Sequence, residues 1–404
     1  MSDLRVYFGE FMRQFYALEM SGNFCSHACA YCYANLNKPD RAANPAATLN
    51  VLKTAQDRQH KDLLARLIVE KYPVVMSNHI DPFSNSNWRI YRTYIDIFRA
   101  MKIPFGFQTR GAGKQSGAKD LLNDVITDGV PKAFFVSITG DDEKTLRLLE
   151  PGAPSYKERL DLVEKLKAYN HPVIVAIAPY IPTWWRDIDA ALRTIHSLKA
   201  DAVFITLLHF SLKQIANMTP KAHAHFSDAI DKAKKHEEKN EPLFNETERV
   251  RRTAKDIGLL VGSYSQNTYD NIWRVFYPAY PKRFPTLYDF VDWCAQHKQH
   301  GDLIYWKDYR DFFLPKLPKL QPNTYKLDSY IGASSRQLWS TYKIPTKMTY
   351  HQLLQLTWKE YSVSYNPINQ PPFLPLIENG KFLTDEQNLP IFQYSPKSFT
   401  FGQD

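Results

Sequence analysis

Between about residues 15 and 208, short apolar runs alternate with longer stretches of helical periodicity. The apolar runs are rich in Val, Ile and Phe, as buried strands are, and occupy residues 16–20, 73–76, 105–109, 133–139, 173–178 and 202–208. The helical patterns occupy residues 51–71, 87–101, 117–128, 156–169 and 186–198. Strands separated by single helices predict βαβ units and a parallel sheet. The sequence therefore predicts an α/β fold with enough units for a partial or full barrel of the TIM type.

The pattern changes towards the C-terminus. Residues 211–257 are helical and charged, and beyond about residue 265 the chain is dense in Tyr, Phe, Trp and Pro and loses the alternation. We therefore predict two parts. A barrel with a helical insertion spans residues 1–264, and a C-terminal extension, a candidate substrate-binding subdomain, spans residues 265–404.

The extension interleaves basic and aromatic residues, most densely at positions 273–284 and 305–310. Basic side chains neutralise phosphates and aromatic rings stack on bases, so the pattern is typical of a nucleic-acid surface. Alternatively, the rings pack onto the barrel and the charges are simply solvated. The formal net charge of +9, from 51 Lys and Arg against 42 Asp and Glu, favours a polyanionic partner.

No apolar stretch has the length of a signal-peptide core or of a membrane span. We therefore expect a soluble, cytoplasmic protein with no membrane partner.

Three of the four cysteines, Cys25, Cys29 and Cys32, fall within eight positions directly after a predicted strand. A disulfide framework has even numbers and wider spacing, so these residues are interpreted as thiolate metal ligands in a reducing compartment. Three thiolates suit a cubane iron–sulfur cluster that has one iron without a protein ligand. The alternatives are a zinc site completed by His27, and chance.

Further motifs follow the cysteine loop in order. Asp81-Pro82-Phe83 follows the second predicted strand, Thr109-Arg110 follows the third, and the runs 137–155 and 173–182 follow these. Together with the loop, they resemble the radical S-adenosylmethionine (SAM) superfamily, and within it the spore photoproduct lyase-like (DNA repair photolyase-like) branch. The resemblance covers about residues 15–210, roughly half of the chain.

The resemblance implies a partial (β/α)6 barrel whose [4Fe–4S] cluster is held by the three cysteines. SAM would bind the open iron and be cleaved to a 5′-deoxyadenosyl radical in a lyase- or isomerase-type reaction. An external donor such as flavodoxin or ferredoxin would supply the electron.

The resemblance also implies contacts to SAM at the carboxyl ends of the strands. Tyr31 would stack near the adenine, although it is alternatively an ordinary aromatic cover for the cluster. Arg110 would pair with the SAM carboxylate, or else form a surface salt bridge. Tyr33, next to Cys32, would relay a hydrogen atom.

Smaller polar residues complete the implied SAM site. Ser77, Asn78 and Asp81 would address the amino group or the ribose, although Asp81 before a proline also suits a turn. Ser137 and Thr139 would reach the ribose or the carboxylate, although small hydroxyl residues also end strands without any function.

Two neighbouring features are given structural roles. The run from Glu150 to Ser155 is interpreted as a structural break between two elements, rich in Pro and Gly, in which Ser155 caps the next helix. Trp184 and Trp185 are expected to close the core under a loop, with stacking on a substrate base as the alternative.

The chain departs from the family at one position. The family's hydrogen-returning cysteine after the second strand is absent, and the spare Cys294 is interpreted as a small buried hydrophobe. The expected function is therefore radical chemistry on a thymine-derived DNA base, as repair, rearrangement or modification. The alternatives are a radical enzyme acting on a peptide or small metabolite, and a non-catalytic protein that binds zinc and nucleic acid.

Overall fold

The computed structural model describes most of the chain. The described residues are 2–6, 15–20, 24–32, 44–76, 80–208, 210, 212–227, 230, 241–262, 271–319, 324–326, 347–359 and 372–396.

An eight-stranded sheet organises the first two thirds of the chain, with its strands in sequence order. The edge strand β1 (Leu4–Val6) runs antiparallel to β2 (Leu18–Met20). The parallel strands that follow β2 are β3 (Val74–Met76), β4 (Phe105–Thr109), β5 (Phe134–Ser137), β6 (Val173–Tyr180), β7 (Ala202–Leu207) and β8 (Leu260–Gly262). Within the described residues the two edge strands do not pair, so the sheet is an open, partial barrel. The predicted α/β class is confirmed.

Helices connect the parallel strands. They are α1 (Pro45–Lys53), α2 (Ala55–Arg58), α3 (Leu63–Val69), α4 (Trp88–Ala100), α5 (Ser116–Thr127), α6 (Glu143–Leu149), α7 (Tyr156–Ala168), α8 (Ile188–Ser197), α9 (Leu212–Ala216), α10 (Pro220–His225) and α11 (Glu241–Asp256). A 3-10 turn, Pro182–Trp184, follows β6. The predicted single helix at 51–71 is wrong in detail, because α1 to α3 replace it.

The C-terminal part adds small elements. Its helices are the 3-10 helix Ile272–Ala279, α12 (Leu287–His297), α13 (Trp306–Phe313), the 3-10 turn Leu314–Lys316 and α14 (Tyr350–Lys359). Its strands are β9 (Leu303–Ile304), β10 (Thr324–Lys326), β11 (Lys347–Thr349), β12 (Phe373–Pro375), β13 (Ile377–Glu378), β14 (Lys381–Phe382) and β15 (Phe392–Tyr394).

The two faces of the sheet are covered by different parts of the chain. On one face, strand side chains pack against helix residues such as Leu162 and Leu166 of α7. On the other, Ile174 and Phe204 pack against residues of the 3-10 helix Ile272–Ala279. Because both faces are covered, the strands are almost continuously apolar, as the sequence pattern indicated.

Tyr280 fixes this 3-10 segment to the amino-terminal edge of the sheet. Its hydroxyl donates to the Phe105 carbonyl at 2.7 Å and accepts from the Ala133 N–H at 3.0 Å. Gly106 lies beside this hydroxyl. A Cβ atom at position 106 would collide with the hydroxyls of Tyr16 and Tyr280. The strand β4 therefore needs glycine at this position.

Several of the aromatic rings predicted for a nucleic-acid surface lie inside the fold, whereas Tyr305 of the second stretch is 38% exposed. Trp273, Phe276, Tyr280 and Phe284 are all at most 5% exposed. Arg283 pairs with Asp289 at 2.6 Å. Residues 273–284 therefore follow the alternative prediction, in which the rings of this segment pack onto the barrel.

We expect Tyr280→Phe to lower the free energy of unfolding by about 1–3 kcal/mol, because it leaves a buried carbonyl and a buried N–H without their partner. Urea denaturation would measure the loss. The control is Tyr169→Phe, since Tyr169 is 49% exposed and its replacement is expected to stay within about 0.5 kcal/mol. Equal losses in the two variants would contradict this account of Tyr280.

A second aromatic cluster forms the core of the C-terminal part. Phe290 of α12, Trp358 of α14 and Phe392 of β15 are completely buried. Cys294 is also completely buried, and burial raises the pKa of its thiol well above the usual range. The interpretation of Cys294 as a small hydrophobe agrees with this setting. The boundary near residue 265 stays a prediction.

Across the helices that the structure describes, none combines the length and the apolar character needed to cross a lipid bilayer.

Candidate active site

The carboxyl ends of four neighbouring strands meet at one edge of the sheet, where ligands bind in open α/β folds. The cysteine loop follows β2, Asp81 follows β3, Arg110 follows β4, and Thr139 follows β5. The topology thus brings together segments that are far apart in the sequence.

The cysteine loop is a pair of tight turns. The Ala28 N–H bonds the Cys25 carbonyl at 3.1 Å, and the Cys32 N–H bonds the Cys29 carbonyl at 3.1 Å. Cys25 and Cys29 are 7% and 5% exposed, whereas Cys32 is half-buried. Ala28 has a φ of 52°, which lets the chain reverse between the first two cysteines.

The segment after α6 holds this loop from one side. The Ala30 N–H donates to the Leu149 carbonyl at 2.8 Å, and the Gly152 N–H donates to the His27 carbonyl at 3.1 Å. A Cβ atom at Gly152 would collide with the Ser26 carbonyl oxygen and crowd the His27 Cα atom. The close approach of the two backbones therefore requires glycine at position 152.

His27 is held inside the protein by both ring nitrogens. Its Nδ1 lies 2.9 Å from the Gly152 carbonyl oxygen, and its Nε2 lies 3.3 Å from Oδ2 of Asp81. The second contact is an ion-pair distance without hydrogen-bond geometry. His27 is 1% exposed. The alternative use of this loop, a zinc site completed by His27, stays a prediction.

Asp81 ties the loops after β3 and β4 together. Its carboxylate accepts from the Thr109 hydroxyl at 2.9 Å, from the Arg110 N–H at 2.7 Å and from the Phe83 N–H at 3.0 Å. Both oxygens are used, which matches the turn-shaping alternative. A contact from Asp81 to a cofactor stays a prediction.

Burial keeps the two inner thiols protonated in the absence of a metal. Burial, reinforced by the charge of Asp81, raises the pKa of Cys25 to about 11. Burial also raises the pKa of Cys29 well above its usual range, although the nearby Arg110 lowers it. Metal binding to such thiols releases their protons, because only the thiolate is a ligand.

Glu150 offers the site a second buried carboxylate, which contacts Tyr31, Thr139, Arg159 and Arg110. It is completely buried at the side chain. One carboxylate oxygen accepts from the Tyr31 hydroxyl and from the Thr139 hydroxyl, the latter at 2.7 Å. The other oxygen pairs with the buried guanidinium of Arg159. Burial alone would raise the pKa of Glu150, but Arg159 and Arg110 lower it to about 2.

Arg110 lies between this carboxylate and the cysteine loop. Its Nη2 donates to the Tyr31 hydroxyl at 3.1 Å, and its Nε lies 3.6 Å from Oε1 of Glu150. The Nε atom is buried and has no hydrogen-bond acceptor. Although burial would lower the pKa of Arg110, the nearby Cys29 and Tyr31 raise it. The side chain as a whole is 19% exposed, so the guanidinium can be reached by a further anion.

The predicted site residues fall into three groups. Cys25, Cys29, Cys32, Tyr31, Asp81, Arg110 and Thr139 converge at this edge of the sheet. Ser137 ends β5, is half-buried and offers its carbonyl to Arg159 at 3.3 Å. Tyr33, Ser77 and Asn78 lie outside the described residues.

Tyr31 has an aromatic environment inside the protein. It is 7% exposed, and its ring centroid lies 5.4 Å from that of Trp184. Trp184 and Trp185 are 1% and 8% exposed. The two tryptophans are therefore core residues, as expected, and Trp184 packs on the ring predicted to meet the adenine.

The donor set fits an iron–sulfur cluster. Among the residues that the structure describes, no three or more His, Cys, Asp or Glu side chains are arranged to hold a single metal ion. A cubane makes a different demand, because each cysteine binds a different iron atom. Three thiols from one short loop, two of them shielded from solvent, meet that demand. The loop offers no fourth cysteine, so one iron would keep an open position.

Sequence reasoning did not find the roles of Glu150, Arg159 and His27 in this network. A signal existed for Arg159, which stands at i, i+3, i+4 and i+7 with Leu162, Val163 and Leu166 on the apolar face of α7. An arginine on such a face needs a buried anion. Nothing in the sequence identifies Glu150 as that anion, because the pairing depends on tertiary contacts.

No protein-family model matches the chain. An uncharacterized protein of Mycobacterium tuberculosis is 26% identical over 194 residues, which cover 46% of this chain and 56% of that protein. The same figures hold for an uncharacterized protein of Mycobacterium bovis. An uncharacterized protein of Acidianus two-tailed virus is 25% identical over 199 residues, 46% of this chain and 64% of that protein. The chain spans little more than half the length of the mycobacterial relatives it matches.

Two solved structures share a distant likeness. Streptococcus suis SuiB bound to S-adenosylmethionine is 13% identical with a TM-score of 0.37, covering 67% of this chain and 53% of SuiB. A spore photoproduct lyase mutant with bound AdoMet and dinucleoside spore photoproduct is 14% identical with a TM-score of 0.40, covering 58% of this chain and 72% of that chain. Likenesses this distant do not assign the chain an activity.

Proposed function

We propose that the chain is a radical SAM enzyme of the spore photoproduct lyase-like branch. The observation that carries the proposal is the cysteine loop itself: three thiols, two of them buried, at the carboxyl edge of an open parallel sheet. When bound there, a [4Fe–4S] cluster supplies the electron that cleaves SAM into methionine and a hydrogen-abstracting radical.

The chain's own residues have distinct parts in this proposal. Cys25, Cys29 and Cys32 bind the cluster. Arg110, whose side chain is 19% exposed, binds the SAM carboxylate. Tyr31, packed on Trp184, flanks the adenine and excludes water from the radical chemistry.

Electron supply belongs to the same proposal. Cys32 is the least buried of the three cysteines, so the cluster is reached from that side of the loop. A flavodoxin- or ferredoxin-type donor would deliver the electron.

The proposed substrate is a thymine-derived base in DNA. The support is the net charge of +9, which favours a polyanion, together with the motif resemblance. A base in a duplex has to leave the stack before a radical at the sheet edge reaches it. Four rings of the aromatic segment 273–284 take no part, because they are buried: Trp273, Phe276, Tyr280 and Phe284.

An isotope experiment tests the substrate. The anaerobically reconstituted chain is incubated with SAM, a reductant and DNA whose thymidine residues are deuterated at every carbon-bound position, and 5′-deoxyadenosine is analysed by mass spectrometry. We expect deuterium in the deoxyadenosine and a modified nucleoside in the DNA. Deoxyadenosine without deuterium, and DNA binding that does not weaken with salt, would contradict a DNA substrate and favour a peptide or small metabolite.

A further inference from the structure

Glu150, which the sequence pattern indicates only as part of a turn, lies next to the proposed cofactor site. Glu150 is 2% exposed and stands just before the turn that holds the cysteine loop. Its bonds reach the loop at Tyr31 and the strand end at Thr139. It also lies 3.6 Å from the Arg110 Nε atom. Each of these three partners belongs to the proposed SAM site.

The charges around Glu150 do not balance. Arg159 and Arg110 bring two positive charges to one carboxylate, and Arg159 occupies one of its oxygens fully. The other oxygen is shared by two hydroxyls. The Arg110 Nε atom lies at an ion-pair distance from this oxygen but forms no hydrogen bond with it. Of these three charges one positive charge is thus left over, on Arg110, whose guanidinium also contacts the cysteine loop through the Tyr31 hydroxyl at 3.1 Å.

We infer that Glu150 is a positioning residue, which anchors Tyr31 and orients Arg110 so that its guanidinium meets the carboxylate of SAM at the cluster. The inference rests on the proposed function. Arg159 serves as the fixed counter-charge that keeps the Glu150 carboxylate ionised and in place.

The arrangement differs from a purely structural ion pair. A structural pair needs one anion and one cation, whereas here the second cation and a tyrosine hydroxyl are attached to the same carboxylate. The attached tyrosine belongs to the cysteine loop, and the attached arginine donates to its hydroxyl at 3.1 Å. Loss of the carboxylate is therefore expected to change SAM binding as well as stability.

The test compares Glu150→Gln with the wild-type chain after anaerobic reconstitution. The amide keeps the size of the side chain and removes its charge. We expect a normal iron content, a SAM dissociation constant weakened by about 10- to 100-fold, and an altered electron paramagnetic resonance (EPR) change on SAM addition. Thr139→Val, which keeps every charge and removes one bond to the same oxygen, is expected to weaken SAM binding less.

The matched control is Asp128→Asn. Asp128 is likewise one carboxylate between two cations, with Arg99 at 2.7 Å and Lys132 in contact, but it lies before β5 at the opposite edge of the sheet. We expect this variant to lose stability and to keep the wild-type affinity for SAM.

The outcomes separate the two claims. If the wild-type chain binds no iron–sulfur cluster, the proposed function fails and this inference fails with it. If the wild type binds cluster and SAM, and Thr139→Val and any folded Glu150→Gln protein bind SAM as tightly as the wild type, the inference alone is overturned. It is also overturned if Asp128→Asn weakens SAM binding as much as Glu150→Gln does.

Discussion

Replacing Cys29 with alanine is expected to abolish iron–sulfur cluster binding and to lower 5′-deoxyadenosine formation by about 100-fold or more. Loss of a ligand should lower activity at least as much as loss of a residue that supports a ligand. Cys29 is the central cysteine of the loop and is 5% exposed. Iron and acid-labile sulfide per chain, measured after anaerobic reconstitution, report the loss directly.

The control is Cys294→Ala, which removes a thiol of similar burial from the C-terminal aromatic cluster. We expect it to cost about 1 kcal/mol of stability through the small cavity and to leave the iron content unchanged. If Cys29→Ala retained the wild-type iron content, or if Cys294→Ala lost it, the assignment of the cluster to the loop would be wrong.

Replacing Arg159 with methionine is expected to lower the free energy of unfolding by about 3–5 kcal/mol at neutral pH, because it breaks a fully buried ion pair. The side chains of Arg159 and Glu150 are 1% and 0% exposed. Arg110 remains near Glu150, so the loss should fall towards the lower end of that range. Urea denaturation of both proteins gives the difference.

The pH dependence of the same variant gives a second measurement. The folded-state pKa of Glu150 is about 2, below the usual value for an unfolded glutamate. A carboxyl group with a lowered pKa contributes stability above its unfolded pKa and loses it as the pH falls through the folded pKa. Wild-type stability from Glu150 is therefore lost between about pH 4 and pH 2. In Arg159→Met this contribution is expected to be smaller above about pH 4.

An exposed ion pair provides the comparison for Arg159. Arg58 pairs with Asp62 across one helical turn, and Arg58 is 48% exposed at the side chain. We expect Arg58→Met to cost less than about 1 kcal/mol. If the two arginine variants were equally stable, the buried pair would not contribute to folding as described.

The strands of the barrel could be predicted from the sequence because apolar runs in a covered parallel sheet are continuous. Residues 105–109 were predicted as a strand and form β4 without any change of bounds. The predicted cap at Ser155 is confirmed, and it forms a capping box with Glu158. The bounds of this strand and the cap of this helix depend on residues that are close together in the sequence, so they can be predicted from it.

Elements that depend on partners were missed. The edge strand β1 has only three residues and is defined by its pairing with β2. The strand β8 is equally short and follows a polar helix. The spacing of Asn245 and Glu248 is typical of a capping arrangement and predicts a helix start there, but the helix begins at Glu241 and runs through both residues.

Only the part of the site whose chemistry follows from sequence spacing, the three cysteine ligands, could be predicted. The cysteines are separated by fixed short intervals, so their use as ligands follows from the sequence alone. The Glu150 network joins residues up to 119 positions apart. Such pairings depend on how the strands assemble and leave no signature in a single sequence.

The most direct test of the account is the EPR spectrum of the reconstituted wild-type chain, reduced in the absence and then in the presence of SAM. The account predicts about four iron atoms per chain, a reduced-cluster signal, and a change in that signal when SAM binds the open iron. A colourless chain containing one zinc ion and no iron, or a cluster signal that SAM leaves unchanged, would contradict it.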